Sequence, residues 1–133
     1  MKKVLLGLVL MLGFTSTNVT AQTFYSCTEK VYCYYNDETE EFDNCDEYIE
    51  ESSLFEVNET MTVFIHTTES MKSTYYVRST ETLDSGLIIY HVISDVGNEY
   101  SYVFDDEYDE IRCLIVFSDD SMAILGFTIK SIF

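Results

Sequence analysis

Two histidines, His66 and His91, are the side chains of this sequence whose ordinary pKa lies nearest neutral pH. Both alternate with apolar neighbours, which is typical of a partly buried strand position. If both faced one pocket with Ser94 or Asp95 nearby, the group would hold a base and an orienting acid. The familiar enzyme signatures (Gly-x-Ser-x-Gly, His-Glu-x-x-His and a Gly-rich phosphate loop) are absent. We therefore predict structural histidines, no catalytic residues, no enzymatic activity and no cofactor.

Carboxylates form two clusters that could in principle hold a cation. Nine lie between residues 37 and 51 without a lysine or arginine, and five lie between residues 105 and 110. Within the second cluster Asp105, Glu107 and Asp109 alternate, so on a strand they would point the same way. Such oxygen ligands suit Ca²⁺, but the glycine and the distal glutamate of a calcium loop are missing. We predict solvated charge with no metal site, and keep a calcium-stabilised module as an alternative.

The sequence has four cysteines, an even number that allows all of them to pair, and their spacing does not match a structural zinc site. In an oxidising compartment two disulfides are the default expectation. A turn near Thr39 would place Cys33 opposite Cys45, which leaves Cys27 to pair with Cys113. Spacing alone leaves the other connectivities open.

The first 21 residues have the organisation of a secretory signal peptide. Lys2 and Lys3 precede an apolar stretch, and small or β-branched residues lead to cleavage after Ala21. We predict a signal peptide over residues 1–21 and a single domain over residues 22–133, located in the periplasm or outside the cell. Without the two leader lysines, five basic residues face 24 acidic ones, a formal charge of −19. This charge disfavours nucleic acid and anionic lipid surfaces as partners and permits proteins or small neutral or cationic ligands.

The remaining chain has an all-β pattern without proline. Short apolar alternations are separated by turn residues, of which Gly97 and Asn98 give the clearest hairpin signal. The pattern predicts an antiparallel meander with little or no helix. The predicted strands span residues 23–27, 31–36, 41–46, 54–57, 60–67, 73–83, 87–96, 99–105, 111–118 and 122–131. Residues 45–53 are predicted as a loop or one short turn.

Side-chain alternation predicts a one-sided core. Met61, Val63 and Ile65 share one face of their strand, as do Leu125, Phe127 and Ile129 of theirs. Residues 87–93 and 114–117 are apolar on both faces, as in covered strands. A small sandwich or a small barrel satisfies both patterns, and the sequence does not separate them.

These observations predict an exported, acidic β-domain that serves as a binding or structural module. A minor hydrolase is a further alternative. The aromatic residue at the C-terminus, Phe133, also suggests a small outer-membrane barrel, but the strands are short for one and we expect no stable membrane insertion.

Overall fold

A computed structural model describes residues 22–133; the predicted signal peptide lies outside the described residues. The described chain forms nine strands, all antiparallel to their neighbours. They are β1 (Thr23–Asn36), β2 (Glu41–Cys45), β3 (Ile49–Val57), β4 (Val63–Thr67), β5 (Lys72–Thr82), β6 (Ile88–Ser94), β7 (Glu99–Asp105), β8 (Glu110–Val116) and β9 (Met122–Ile132). Residues 22–133 contain no helix with the length and apolar character needed to cross a membrane.

Strand pairing closes the sheet into a barrel. The order is β2-β1-β3-β4-β5-β6-β7-β8-β9, and β1 also pairs with β9. Eight strands therefore form a closed ring, and β2 is an extra strand that pairs only with the end of β1. The all-β meander is confirmed, and the choice left open by the sequence is settled in favour of a barrel. Closure satisfies the backbone hydrogen bonds at what would otherwise be the edges of an open sheet.

The first strand differs from its prediction. Residues 23–27 and 31–36 belong to one continuous strand, because a bulge after Cys27 absorbs the polar segment that suggested a break. β1 is long because it pairs with β3 near its start, with β9 over most of its length and with β2 at its end. The segment predicted as a loop over residues 45–53 contains the start of β3 at Ile49.

The turns between strands lie alternately at the two ends of the barrel. The β6–β7 turn is the predicted one: Gly97 has φ +90°, where a side chain would be strained, and its N–H donates to the Ser94 carbonyl. Strand directions place this turn at the same end as the β4–β5 and β8–β9 turns and the acidic β1–β2 hairpin. We call this end the mouth. Both ends of the described chain lie at the opposite end, which we call the base.

An aromatic core fills the barrel toward the base. Phe55 is fully buried and lies at its centre, with ring centroids 6.2 Å from Phe64, 6.1 Å from Phe104 and 5.2 Å from Phe127. Most of these rings meet tilted or edge-on, the arrangement that aromatic quadrupoles favour.

Candidate functional site

A cavity of about 310 Å³ enters the barrel from the mouth. It reaches the surface at the β4–β5 turn, where Ser70 and Met71 are exposed, and it descends to the buried residues of the core. Its lining combines an ion pair, a histidine, hydroxyl groups and apolar walls. The lining residues are Lys30, Tyr32, Glu51, His66, Thr68, Ser70, Met71, Tyr75, Tyr100, Tyr102, Cys113, Ile115, Leu125 and Phe127. Enclosed space with a few polar groups on an apolar wall is the usual form of a small-ligand site.

His66 is the most unusual group in this lining. Its side chain is 4% exposed, its ring stacks on Phe55 at 4.0 Å, and Phe127 meets it edge-on at 4.9 Å. Burial lowers the pKa of His66 to about 4, an effect that Glu51 opposes and Lys30 reinforces. The ring is therefore neutral at physiological pH. Its Nε2 atom is buried and has no hydrogen-bond partner among the described residues.

An ion pair lies beside the histidine. Lys30 follows the β1 bulge, and its Nζ lies 3.2 Å from one Glu51 carboxylate oxygen and 3.3 Å from the other. Both side chains are partly shielded from solvent, at 21% and 29% exposure. The pair neutralises its own charge, so the cavity has no net charge while His66 is neutral.

Three tyrosines from β5 and β7 form the wall opposite the ion pair. The ring of Tyr75 lies 6.0 Å from that of Tyr100 and 5.4 Å from that of Tyr102. Burial raises the pKa of Tyr102 well above its ordinary value, so its phenol stays protonated. The adjacent Cys113 is buried, and burial raises the pKa of its thiol to about 12. This wall offers hydroxyl groups and aromatic faces but no reactive anion.

His91 does not share the cavity with His66. It faces outward, where its Nδ1 lies 2.8 Å from Ser101 Oγ and its Nε2 lies 2.9 Å from a Glu81 carboxylate oxygen. The two histidines are on opposite sides of the barrel wall, so the two-histidine site considered from the sequence is not formed. The hydrogen bonds of the Ser94 and Asp95 side chains go to other residues and not to either histidine.

Those two residues serve the β6–β7 turn and its neighbour instead. Ser94 is buried, and its hydroxyl accepts the Asn98 N–H at 3.0 Å. An Asp95 carboxylate oxygen accepts the Thr74 N–H at 3.4 Å.

A groove of about 610 Å³ runs along the outer wall beside His91. Arg78, Glu99, Ser101 and Leu114 contribute to its lining. Ser101, His91 and Glu81 form a hydrogen-bonded chain from three neighbouring strands, which is the order of nucleophile, base and acid in a hydrolytic triad. The Glu81 side chain is 57% exposed, so this chain lies in water rather than in an enclosed site.

The cysteines are paired only in part as expected. Cys33 and Cys45 form a disulfide that joins β1 to β2, at directly opposed positions in the register. Cys27 and Cys113 are separate buried thiols, so their expected bridge is absent from the structure. Cys27 lies opposite Ile129 of β9 and Cys113 opposite residue 125 of the same strand. That offset of four residues corresponds to roughly 13 Å, beyond the reach of a disulfide.

The acidic clusters do not converge on a common point. Within residues 22–133, no three His, Cys, Asp or Glu side chains come together in a way that could hold a metal ion. Asp105 does not point outward with Glu107 and Asp109: it is 2% exposed, forms an ion pair with Arg112 and accepts the Tyr108 N–H. It holds the β7–β8 turn in place, while its two acidic neighbours are exposed.

Two residues that define the cavity were not predicted from the sequence. Lys30 and Glu51 lie in segments predicted as breaks between strands, and their inward placement depends on the β1 bulge and on the early start of β3. A lone lysine between two tyrosine-rich segments was the available signal. Of the lining residues, the sequence suggested a chemical role only for His66, beside His91, while Cys113 was expected in a disulfide and Leu125 and Phe127 in the core.

Comparison with protein-family models, with curated proteins and with solved structures finds no match to this chain.

Proposed function

We propose that this protein is an exported binding protein whose barrel holds a small molecule in the mouth cavity. The observation that carries the proposal is His66, which lines the cavity and whose buried Nε2 has no hydrogen-bond partner among the described residues. Leaving such an atom unsatisfied costs about 1–3 kcal/mol, which a bound molecule with a hydrogen-bonding group recovers. Eight-stranded barrels have an interior wide enough for one small ligand.

The rest of the cavity supports binding over catalysis. The cavity volume lies near the lower end of the range of about 300–1,000 Å³ for ligand pockets. Lys30 and Glu51 are paired with each other, and burial keeps His66 and Cys113 neutral. Rigid aromatic side chains from several strands line it, so the site is preformed and loses little entropy on binding.

Export is the second part of the proposal. The leader over residues 1–21 and the disulfide between Cys33 and Cys45 both suit an oxidising compartment, in the periplasm or outside the cell. Mass spectrometry of the protein recovered from its native cells tests this part. We expect a chain that begins at Gln22, and an intact leader would contradict it.

The test of binding uses two substitutions on neighbouring residues of β9. Leu125 lines the cavity, whereas Ile124 faces the outer wall, where it borders a separate apolar recess. Leu125→Trp fills the cavity, and Ile124→Trp adds the same indole outside. A panel of small aromatic and polar compounds is screened by thermal unfolding, since a molecule that binds the native state raises the midpoint.

We expect at least one compound class to raise the midpoint of the wild type and of Ile124→Trp but not of Leu125→Trp. Circular dichroism checks that both variants fold. Shifts that are equal in both variants, or absent from the wild type across the panel, would overturn the proposed function.

Hydrolysis at the outer wall is a second candidate, favoured by the Ser101–His91–Glu81 chain. In that function His91 would take the proton of Ser101 as the hydroxyl attacks an ester carbonyl. Labelling with a fluorophosphonate probe tests it, with Ser79→Ala as the matched control because Ser79 lines the same groove. Labelling that is lost in Ser101→Ala and kept in Ser79→Ala would establish the activity, and an unlabelled wild type would exclude this serine as a nucleophile.

A further inference from the structure

The lining of the mouth cavity restricts the chemistry of its ligand, an inference that rests on the proposed function. Three properties of the lining matter: its net charge, the buried and unpartnered Nε2 of His66, and the shape of its walls. Each excludes some classes of small molecule.

The net charge of the site excludes ions. Lys30 and Glu51 compensate each other, and the buried His66 ring is neutral. A ligand with a net charge would bring an uncompensated charge into a poorly solvated space, which is strongly unfavourable. Anions face a further barrier, because the acidic β1–β2 hairpin lies at the same end of the barrel as the cavity entrance.

The unpartnered atom requires a hydrogen-bonding group on the ligand. His66 Nε2 either donates or accepts a hydrogen bond, depending on the tautomer. A hydroxyl group can serve as acceptor in the first case and as donor in the second. An apolar ligand would leave Nε2 without a partner, whereas a hydroxylated ligand supplies one, so the site favours the hydroxylated ligand over its apolar analogue.

The walls favour a flat ring. Tyr75, Tyr100 and Tyr102 line one side, and Phe127 lies near His66 on another. Aromatic side chains pack against ring faces and edges at low entropic cost. The volume of about 310 Å³ accommodates a molecule of one or two rings.

We propose that the ligand of the mouth cavity is a small, net-neutral, hydroxylated aromatic compound whose hydroxyl group binds Nε2 of His66. Phenols of one or two rings are the simplest members of this class. The ring lies among the tyrosines, and the hydroxyl group is directed toward the stacked His66 and Phe55 pair.

Four probes that share a para-substituted ring test the ligand class. They are p-cresol, its methyl isostere p-xylene, the anion p-toluate and the cation 4-methylbenzylammonium. Dissociation constants are measured by isothermal titration calorimetry at pH 7.5 with the wild type, with Leu125→Trp and with His66→Phe, which keeps a ring on Phe55 but removes Nε2.

We expect p-cresol to bind the wild type about five- to tenfold more tightly than p-xylene, the contribution of one buried hydrogen bond. The two ions should bind at least tenfold more weakly than p-cresol. In His66→Phe the preference for p-cresol should fall below twofold, and Leu125→Trp should bind none of the probes.

The outcomes separate the two proposals. Equal binding of p-cresol and p-xylene by the wild type, or tighter binding of either ion, would overturn the ligand class while Leu125→Trp-sensitive binding still supports the cavity as a site. A preference for p-cresol that persists in His66→Phe would overturn the role of Nε2. Absence of cavity binding by all four probes would overturn the ligand class, and the broader compound panel would then decide the proposed function.

Discussion

Replacing His66 with phenylalanine should remove a defined part of the acid sensitivity of the fold. In the folded protein the pKa of His66 is about 4, against 6.5 in the unfolded chain. Between these values the unfolded chain binds a proton that the folded protein does not, so the free energy of unfolding decreases as the pH falls from about 6.5 to about 4. The loss saturates below the lower value, at about 3 kcal/mol for this one group.

The measurement is urea-induced unfolding, followed by circular dichroism at intervals from pH 7.5 to pH 4. Carboxylates also titrate in the lower part of this window, so the informative quantity is the difference in unfolding free energy between wild type and His66→Phe. As the pH falls from 7.5 to 4, the wild type should lose about 3 kcal/mol more unfolding free energy than His66→Phe. Phe64→Leu is the control: it weakens the same core, in which Phe64 is 1% exposed, without changing proton binding.

The Phe64→Leu curve should run parallel to that of the wild type. If the His66→Phe curve also runs parallel to the wild type, the reasoning about a neutral, buried His66 is wrong. A His66 that bound its proton equally well in the native and the unfolded protein would give that result.

Three further predictions concern the cysteines and the β7–β8 turn. Reduction of the Cys33–Cys45 disulfide, or its replacement by serines, should lower the unfolding free energy by at most about 3 kcal/mol. The barrel should stay folded, because the crosslink holds β2 outside the closed ring. Loss of the native circular dichroism spectrum would contradict this prediction. Thiol titration without reductant should find no reactive cysteine in the native protein and two after denaturation, whereas none in the denatured chain would show that Cys27 and Cys113 are bridged. Asp105→Ala should lower the unfolding free energy by about 3 kcal/mol, measured by urea unfolding at pH 7, through loss of a buried ion pair; a change below about 1 kcal/mol would show that the pair is not structural.

The sequence predicted the strands well where local signals are strong. Alternation and turn residues identified β6 and β7 and the hairpin between them, since Gly97 adopts the backbone conformation that few other residues tolerate. The opposed position of Cys33 and Cys45 followed from the same local geometry. These features depend on residues that are close in the sequence.

Closure of the barrel and formation of the cavity depend on residues that are far apart in the sequence, and local sequence patterns do not predict such contacts. The pairing of β1 with β9 joins the two ends of the described chain, and neither strand carries a signal for its partner. The bulge after Cys27 changes which side chains of β1 face inward, and so brings Lys30 into the interior. The position of Asp105 in an ion pair could likewise not be read from its acidic neighbours.

Nuclear magnetic resonance titration of the wild-type protein with p-cresol tests the central claim, binding of a hydroxylated aromatic compound in the mouth cavity, most directly. We expect saturable chemical-shift changes at the His66 ring and the Leu125 methyl groups, with intermolecular contacts from the aromatic protons of p-cresol to Leu125. Signals of His91 and Ile124, on the outer wall, should remain unchanged. Changes confined to the outer wall, or no saturable change at His66 and Leu125, would contradict it.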